Sequence, residues 1–541
     1  MKKLYKSLLA AAAVIPAAGL TGCIEETFPT TVATQNQVNA SPSAISAFAN
    51  AMPAYMNSCL MLPSEQHYDW GYGSIMHIRD VMTGDMPITF SNSGYDWYTS
   101  WEQNTNQGEE WMRTQFIWTY YAKQVQTSNL TIGAIDPDTD VDENRYYLGA
   151  AYAFRAMAYL DMARMYEYLP TDGTEAKSPE GNSVLHLTVP IVTESMGEAE
   201  ARNNPRATRE QMIEFIISDL DKAETYITAT ARPSKVMPDL ACVYGLKARA
   251  YMWTENYPEA KNYARKAIDA SGCVPTTRDQ WLSTTNGFNT LSTPSWMWGM
   301  QLVQEDNQVK TTLLNWASWA SNEYVNGYSG AEPYVMIDAN LYNSINDDDF
   351  RKLTFVAPKS SKLSGQENYI NRAATSYLPT YASLKFKPGE GNMENYLTAC
   401  VVAVPTMRVE EMYLIEAEAA AQSAPSEGKS LIENFMKTYR YATYTFNGSS
   451  KDQVVNEIFK QKQIELYGEG LIFYDYKRLN KPVTRRYSGS NFYPQCQFNT
   501  TTRPAWMNFV IVRSESSNNT ALIGYNNPDP SQCYEDQITT K

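Results

Sequence analysis

Tryptophan is the side chain of this sequence whose type and placement most clearly suggest a chemistry. Ten of the twelve tryptophans fall in two segments, Trp70 to Trp118 and Trp281 to Trp319. A flat, rigid indole covers the apolar C–H face of a sugar ring at low entropy cost. Those that lie among Gly, Ser and Asn, with one following tyrosine, are our candidate ligand-binding aromatics: Trp70, Trp97, Trp101, Trp316, Trp319 and Tyr324. From sequence alone, packing explains each of the indoles equally well.

The remaining tryptophans of these segments have simpler explanations. Trp111 and Trp118 fall in a predicted helix, and we expect them to be core residues. Trp296 and Trp298 alternate beside methionines, which predicts a strand with one buried face.

Two carboxylates near the first tryptophan segment could hold the hydroxyl rim of a sugar. Asp80 and Asp85 lie in the string HIRDVMTGD, beside Arg79. Asp and Arg side chains can make paired hydrogen bonds to neighbouring hydroxyl groups. The same two acids could instead cap local helices, and the sequence favours neither interpretation.

Signs of catalysis are weak. No GxSxG, HExxH or Walker A string is present, and His67, His77 and His186 do not have a zinc spacing. Glu465 and Glu469 could share one helical face as an acid and base pair, but ion pairing is the simpler interpretation. The run Asp347 to Asp349 could bind calcium, although a solvated turn paired with Arg351 explains it better. We therefore predict no catalytic residues, no metal and no cofactor.

Helical periodicity dominates the elements that must position these residues. A helical scaffold is expected over residues 109–271 and 405–480, loop-rich parts over 62–106 and 274–404, and an irregular end over 481–541. Individual helices are predicted, among others, over 142–168, 257–271, 408–423 and 451–467. The string from Tyr257 to Ala267 is similar to the second half of a tetratricopeptide repeat, with Ala260, Ala264 and Ala267 at the spacing that lets two helices approach closely. The predicted fold is all-α, with helix pairs carrying a loop-rich, irregular ligand-binding side.

The first residues are typical of an exported lipoprotein. Three lysines precede a short apolar run, which is the pattern of a signal peptide over residues 1–22. Leu20 to Cys23 resembles the bacterial lipobox, which implies cleavage before Cys23 and lipidation of that residue. Residues 23–40 then form a tether, and residues 41–541 form a single domain.

The composition and net charge of the chain limit the kinds of molecule that it can bind. The 541 residues are 43% hydrophobic and 19% charged, as expected for a folded body. The net charge of −14, or −17 without the three leader lysines, argues against nucleic-acid binding, which depends on cations set against phosphate. The six cysteines after Cys23 are scattered without a CxxC motif, and we expect mostly free thiols with at most one disulfide.

Several short sequence blocks follow one another along the chain. Two of these blocks lie in the C-terminal half, Arg408 to Ala419 and Ile464 to Leu479. The others are Trp118-x6-Val125-x3-Asn129, Phe154-Arg155-Ala156 with Asp161, Val189-Pro190-Ile191-Val192, Arg206-Ala207-Thr208, Asp219-Leu220, Ala248-Arg249-Ala250-Tyr251 and Asp347 to Arg351. In their order and spacing these blocks resemble the SusD/RagB family of outer-membrane lipoproteins of Bacteroidota. The chain departs from the family pattern at Ala122, Lys462-Gln463 and Leu471.

The resemblance implies a SusD-like domain on the cell surface, anchored by lipid in the outer membrane. It implies an oligosaccharide ligand and a SusC-like TonB-dependent transporter as partner. An oligopeptide ligand, as for RagB-like proteins, is the alternative. A surface glycan hydrolase and a purely structural adaptor are further alternatives.

Overall fold

The computed structural model describes residues 42–91, 94–171 and 174–532. The predicted leader, the lipidated Cys23 and the tether over 23–40 lie outside the described residues. Helices dominate, as predicted for an all-α protein, and the described part contains a single two-stranded sheet. Within the same ranges, no helix combines the length and the apolar character needed to cross a membrane.

Eleven longer helices form the scaffold of the described part. They are α1 (Pro42–Met56), α2 (Tyr72–Val81), α3 (Met112–Ala134), α4 (Asp142–Tyr166), α5 (Arg209–Tyr226), α6 (Leu240–Trp253), α7 (Tyr257–Ser271), α8 (Val409–Ser423), α9 (Pro425–Tyr439), α10 (Lys451–Glu465) and α11 (Ile472–Arg478). Short α-helical turns lie at Thr99–Glu102, Glu198–Ala201, Arg278–Trp281, Asn307–Lys310, Trp316–Ala320, Ala339–Ser344, Tyr396–Ala399 and Arg513–Asn518. The longer helices pack mainly on their neighbours along the chain, and α7 also packs on α8.

The pair α6 and α7 has the predicted close packing. Helix α7 has the predicted bounds, because Pro258 in its first turn and Gly272 just beyond its end (φ +61°) mark both limits. The three small residues of its inner face are fully buried: Ala260, Ala264 and Ala267. The second pair, α8 and α9, also has a close contact, since a Cβ on Gly428 would lie 2.4 Å from the Cβ of Ala421.

The sheet joins the loop-rich part to the scaffold. Strand β1 (Trp296–Gln301) pairs antiparallel with β2 (Ala403–Arg408), with a bulge between Trp296 and Gly299. Burial differs from the prediction, because both Trp296 and Met297 are buried and the strand has no open face. Since β2 runs directly into α8, the sheet fixes where Arg408 enters the core.

Segment 62–106 contains a helix that periodicity did not predict. All ten residues of α2 are buried, so no polar face alternates with an apolar one and the sequence lacks the usual signal. Arg79 on this helix donates to Asp161 of α4 (3.0 Å), and Tyr72 donates to the same carboxylate (2.7 Å). Burial alone would raise the pKa of Asp161, but Arg79 and Arg164 lower it below its usual range. This buried ion cluster attaches α2 to the scaffold.

A second buried ion cluster attaches segment 274–404. The carboxylate of Glu465 accepts from Arg440 (2.7 Å), Arg351 (2.9 Å) and Arg408 (3.2 Å), and all four side chains are fully buried. Burial opposes ionisation of Glu465, yet the three guanidinium groups keep its pKa below the ordinary value. The predicted partner of the turn is correct, because Arg351 also pairs with Asp349 (2.6 Å), but Asp349 is buried and not solvated as predicted.

Candidate ligand-binding surface

Most of the candidate aromatics predicted from sequence are buried. The exposed fraction is at most 3% for Trp70, Trp101, Trp316, Trp319 and Tyr324. The expectation that these rings are presented outward is therefore corrected for all five. Conversely Trp111, expected in the core, lies directly before the first residue of α3 and is 39% exposed, whereas Trp118 is buried as predicted.

The buried rings form the core of the loop-rich side. Trp319 stacks on Tyr328 with ring centroids 4.3 Å apart, and Trp70 meets Trp316 edge to face at 6.3 Å. Edge-to-face and offset contacts of this kind stabilise aromatic clusters beyond their buried area. Gly, Ser and Asn around a tryptophan thus indicate irregular backbone here, and not exposure of the ring.

The two predicted acids are also interior. Asp80 is buried and accepts from the amide of Gly470 (2.8 Å), whereas Asp85 accepts from Tyr476 (2.8 Å) and Gln463 (2.7 Å). Burial raises the pKa of Asp80 well above its usual range and raises that of Asp85 to about 7. Neither carboxyl caps a helix, and neither faces the solvent.

Trp97 is the one candidate that stays partly exposed. The imidazole of His67 stacks on its indole at 4.6 Å with an interplanar angle of 6°, and Tyr68 packs edge-on at 6.2 Å. His67 Nδ1 also hydrogen-bonds to the hydroxyl of Tyr328. The indole of Trp97 therefore packs against rings that themselves contact the buried aromatic core.

Exposed side chains continue the surface next to Trp97. Tyr95 packs edge-on against Tyr328 at 5.4 Å and is 40% exposed. An open depression of about 540 Å³ adjoins it, lined among others by Tyr95, Val325, Glu332 and Tyr377. We call the surface formed by His67, Tyr95, Trp97, Val325 and Tyr377 the Trp97 face.

Backbone contacts between two distant segments build this face. Ile88 bridges Val335, and the amide of Thr89 donates to the carbonyl oxygen of Tyr334 (3.0 Å). These contacts bring the segment of Tyr95 and Trp97 beside the segment of Val325. Because α2 and β1 anchor the two segments to the scaffold, the exposed rings are presented on a fixed support.

Sequence reasoning missed Tyr95, Tyr377 and His67. The chain has 38 tyrosines, so a tyrosine in a loop carries little information by itself. A partial signal was present, because Tyr95 and Trp97 are separated by one residue in a Gly- and Ser-rich stretch. That spacing could not show that Tyr377, which is distant in sequence, would lie beside Tyr95 in the folded chain.

The two glutamates considered as a catalytic pair, Glu465 and Glu469, form buried ion pairs in the core. Glu465 is held by three arginines, and Glu469 pairs with Lys385 (2.7 Å) and Arg408 (2.8 Å). His77 is buried, and burial lowers its pKa to about 3. Across the described ranges, no group of three or more His, Cys, Asp or Glu is arranged to hold a metal ion. The five cysteines there, Cys59, Cys242, Cys273, Cys400 and Cys496, are free thiols.

Two family models match the chain one after the other. Residues 74–252 match a model described as "Starch-binding associating with outer membrane", and residues 253–530 match the model of the SusD family. SusD-like protein P38 and SusD-like protein P2 of Formosa agariphila are 21% and 22% identical to the chain. Both alignments cover 70% of this chain, with 75% and 74% of the respective relative.

Solved structures show the same architecture. A SusD-like carbohydrate binding protein from Bacteroides vulgatus superposes with a TM-score of 0.70 at 19% identity, covering 90% of this chain and 98% of the other. A SusD superfamily protein from Bacteroides thetaiotaomicron gives 0.66 at 17% identity, covering 88% and 98%. At sequence identities this low, the similarity to these structures shows a shared fold alone.

Proposed function

The chain belongs to the SusD family, and we propose that it is a lipid-anchored protein of the outer-membrane surface that binds an oligosaccharide. In this proposal it delivers the ligand to a SusC-like TonB-dependent transporter and performs no chemistry on it. The observation that carries the proposal is the Trp97 face, an exposed aromatic surface on a rigid support. Two further facts support it: the family description names starch binding and the outer membrane, and one structural neighbour is described as carbohydrate binding.

The chemistry of the Trp97 face suits a sugar. Trp97 and Tyr95 offer flat apolar surface for the C–H face of a pyranose ring, and Tyr hydroxyl groups can bond to its rim. The carboxylate of Glu332 is exposed beside the depression and can accept from sugar hydroxyls. Exposed rings with few rotatable bonds lose little entropy when a ligand covers them.

A direct test is replacement of Trp97 by alanine. In a soluble form that starts after Cys23, we expect Trp97→Ala to weaken binding of the recognised oligosaccharide at least tenfold, which corresponds to about 1.4 kcal/mol of lost contact. The measurement is calorimetric titration against a panel of starch, other plant and algal glycans, and oligopeptides. Circular dichroism checks that the variant keeps its helices.

Trp111→Ala is the matched control, since Trp111 is an exposed tryptophan on a different element. We expect it to leave the affinity unchanged. Equal weakening by both variants would contradict the assignment of the Trp97 face. Binding of oligopeptides in place of glycans would favour the peptide alternative, and release of shorter sugars during incubation would contradict a role without catalysis.

A further inference from the structure

A separate cavity lies inside the helical scaffold and shares no lining residue with the Trp97 face. It has a volume of about 280 Å³ and lies among the chain that follows α4, the end of α6, and α11. Sites for small molecules typically begin at roughly 300 Å³. The space therefore suits a small ion or one charged substituent better than a polymer.

Basic side chains outnumber acidic ones around this cavity, although the chain as a whole has a net charge of −14. Seven lysine and arginine side chains line it, against four carboxylates. Most of these cations have a carboxylate within salt-bridge distance, as Arg249 has Glu411 (2.6 Å). Lys477 and Arg503 differ: within the described ranges, all their hydrogen-bond acceptors are carbonyl or amide oxygens.

Lys477 is a buried amine with no carboxylate oxygen within salt-bridge distance in the described part of the chain. The residue is only 3% exposed, and Nζ donates to the carbonyl oxygens of Met165 (2.9 Å) and Glu167 (2.7 Å). An ammonium group has three donors, so one N–H remains for a further acceptor. Burial lowers the pKa of Lys477 well below its usual range; Glu167 opposes this shift, and the cations Arg503 and Arg209 add to it. A bound anion would accept the remaining N–H and supply the negative charge that Lys477 lacks at salt-bridge distance.

Arg503 supplies a second donor group beside it. Its Nε donates to the side-chain oxygen of Asn480 (2.9 Å), and the same oxygen accepts from its backbone amide (3.2 Å). These two bonds hold the stem and leave the Nη groups for another acceptor. A guanidinium fork with two parallel N–H groups is well suited to a planar or tetrahedral oxyanion.

The carboxylates near Lys477 and Arg503 make no direct hydrogen bond to either side chain within the described residues. Glu167 already accepts from Arg209 (2.6 Å), His186 (2.8 Å) and Trp253 (2.8 Å), so its oxygens are shared among other donors. Glu255 lies on the exposed rim of the cavity. Within the described residues, Lys477 and Arg503 are therefore the cavity cations that lack a direct carboxylate partner.

We propose that this cavity is a binding site for a small oxyanion, a sulfate or phosphate group, held between Lys477 and Arg503 with Arg209 at the edge. The same chemistry fits a free inorganic ion and a substituent carried by a sugar. The proposal does not depend on the glycan-binding proposal, because the two sites use different residues.

Anion titration of the full chain in detergent tests the proposal. At constant ionic strength, we expect sodium sulfate or phosphate to raise the unfolding temperature saturably, since a ligand of the folded state stabilises it by mass action, whereas chloride does not. Glucose 6-phosphate, compared with glucose, distinguishes a substituent on a sugar from a free ion. If no oxyanion has a saturable effect at millimolar concentration, the proposal is wrong.

Two variants locate the effect. Arg503→Gln should weaken anion binding at least tenfold, and Arg503→Lys should weaken it less because it keeps the charge. Arg513→Gln is the control, since Arg513 is 60% exposed and pairs with Glu109, and it should bind as the wild type does. Should Arg503→Gln fail to fold, a crystal soaked in selenate decides: an anomalous peak beside Lys477 supports the site, and peaks only elsewhere overturn it.

Discussion

Asp85 offers the sharpest test of whether the predicted acids belong to the core or to a ligand site. Its Oδ1 accepts from Tyr476 and Gln463, while Oδ2 is buried and has no hydrogen-bond partner within the described part of the chain. Burial raises its pKa to about 7, and Asp338 adds to this, whereas Tyr476 and Gln463 lower it only in part. We predict that Asp85→Asn removes a pH-dependent loss of stability.

The sign follows from linkage. Because the pKa in the folded state (about 7) exceeds the reference value of 3.8, the folded protein binds the proton more tightly than the unfolded chain does. The wild type therefore loses stability as pH rises from about 4 to about 7, and the loss levels off above that range. A difference of one pH unit between the two pKa values corresponds to about 1.4 kcal/mol. The free energy of unfolding of the wild type therefore falls by about 3 kcal/mol between pH 4.5 and pH 8. Asparagine keeps the shape and cannot ionise.

Urea unfolding followed by circular dichroism at pH 4.5 and pH 8 measures the effect. The unpaired amide that Asp85→Asn introduces costs about 1–3 kcal/mol at every pH, so the informative quantity is the change in the difference between variant and wild type. We expect that difference to shift by about 3 kcal/mol in favour of the variant at pH 8. Asp140→Asn in an exposed loop is the control and should show no such shift.

Parallel pH profiles for wild type and Asp85→Asn would refute this reasoning. Oligosaccharide affinity should be the same for both proteins at pH 7. A tenfold loss of affinity in the variant would instead make Asp85 a ligand-binding residue, as one interpretation of the sequence held.

Two further predictions concern the core and the anchor. Glu465→Gln should lower the free energy of unfolding by about 3–5 kcal/mol, because it leaves Arg351, Arg408 and Arg440 buried around an uncharged group; an unchanged urea midpoint would contradict this. Cys23→Ala should abolish incorporation of radiolabelled palmitate and release the protein from the membrane fraction, since acyl chains supply the anchoring free energy at roughly 0.8 kcal/mol per CH₂. Retention in that fraction without label would show that the anchor lies elsewhere.

The longer helices were readable from sequence wherever both end signals and periodicity were present. Helix α7 was predicted with its observed bounds, and α4, α8 and α10 were predicted to within two residues at each end. The small residues at Ala260, Ala264 and Ala267 also indicated the close helix pair correctly. All of these signals are local, because a turn of helix is closed by residues three and four apart.

Helix α2 and the position of the ligand surface could not be read in this way. A helix buried on every side has no polar face, and its Arg79 is tolerated only because Asp161, 82 positions away, neutralises it. Whether an indole in a loop is core or surface depends on which segments come to cover it. Trp319 is buried and stacks on Tyr328, whereas Trp97, two residues after Tyr95, is partly exposed.

The sequence by itself thus determined the amphipathic helices with clear end signals, the close helix pair, and the family to which the chain belongs. Only the tertiary structure decided which aromatic rings face the solvent and which carboxylates are neutralised. The physical reason is that propensity, capping and periodicity act over a few residues, whereas burial and charge compensation arise from groups that are distant in sequence and meet only in the folded chain.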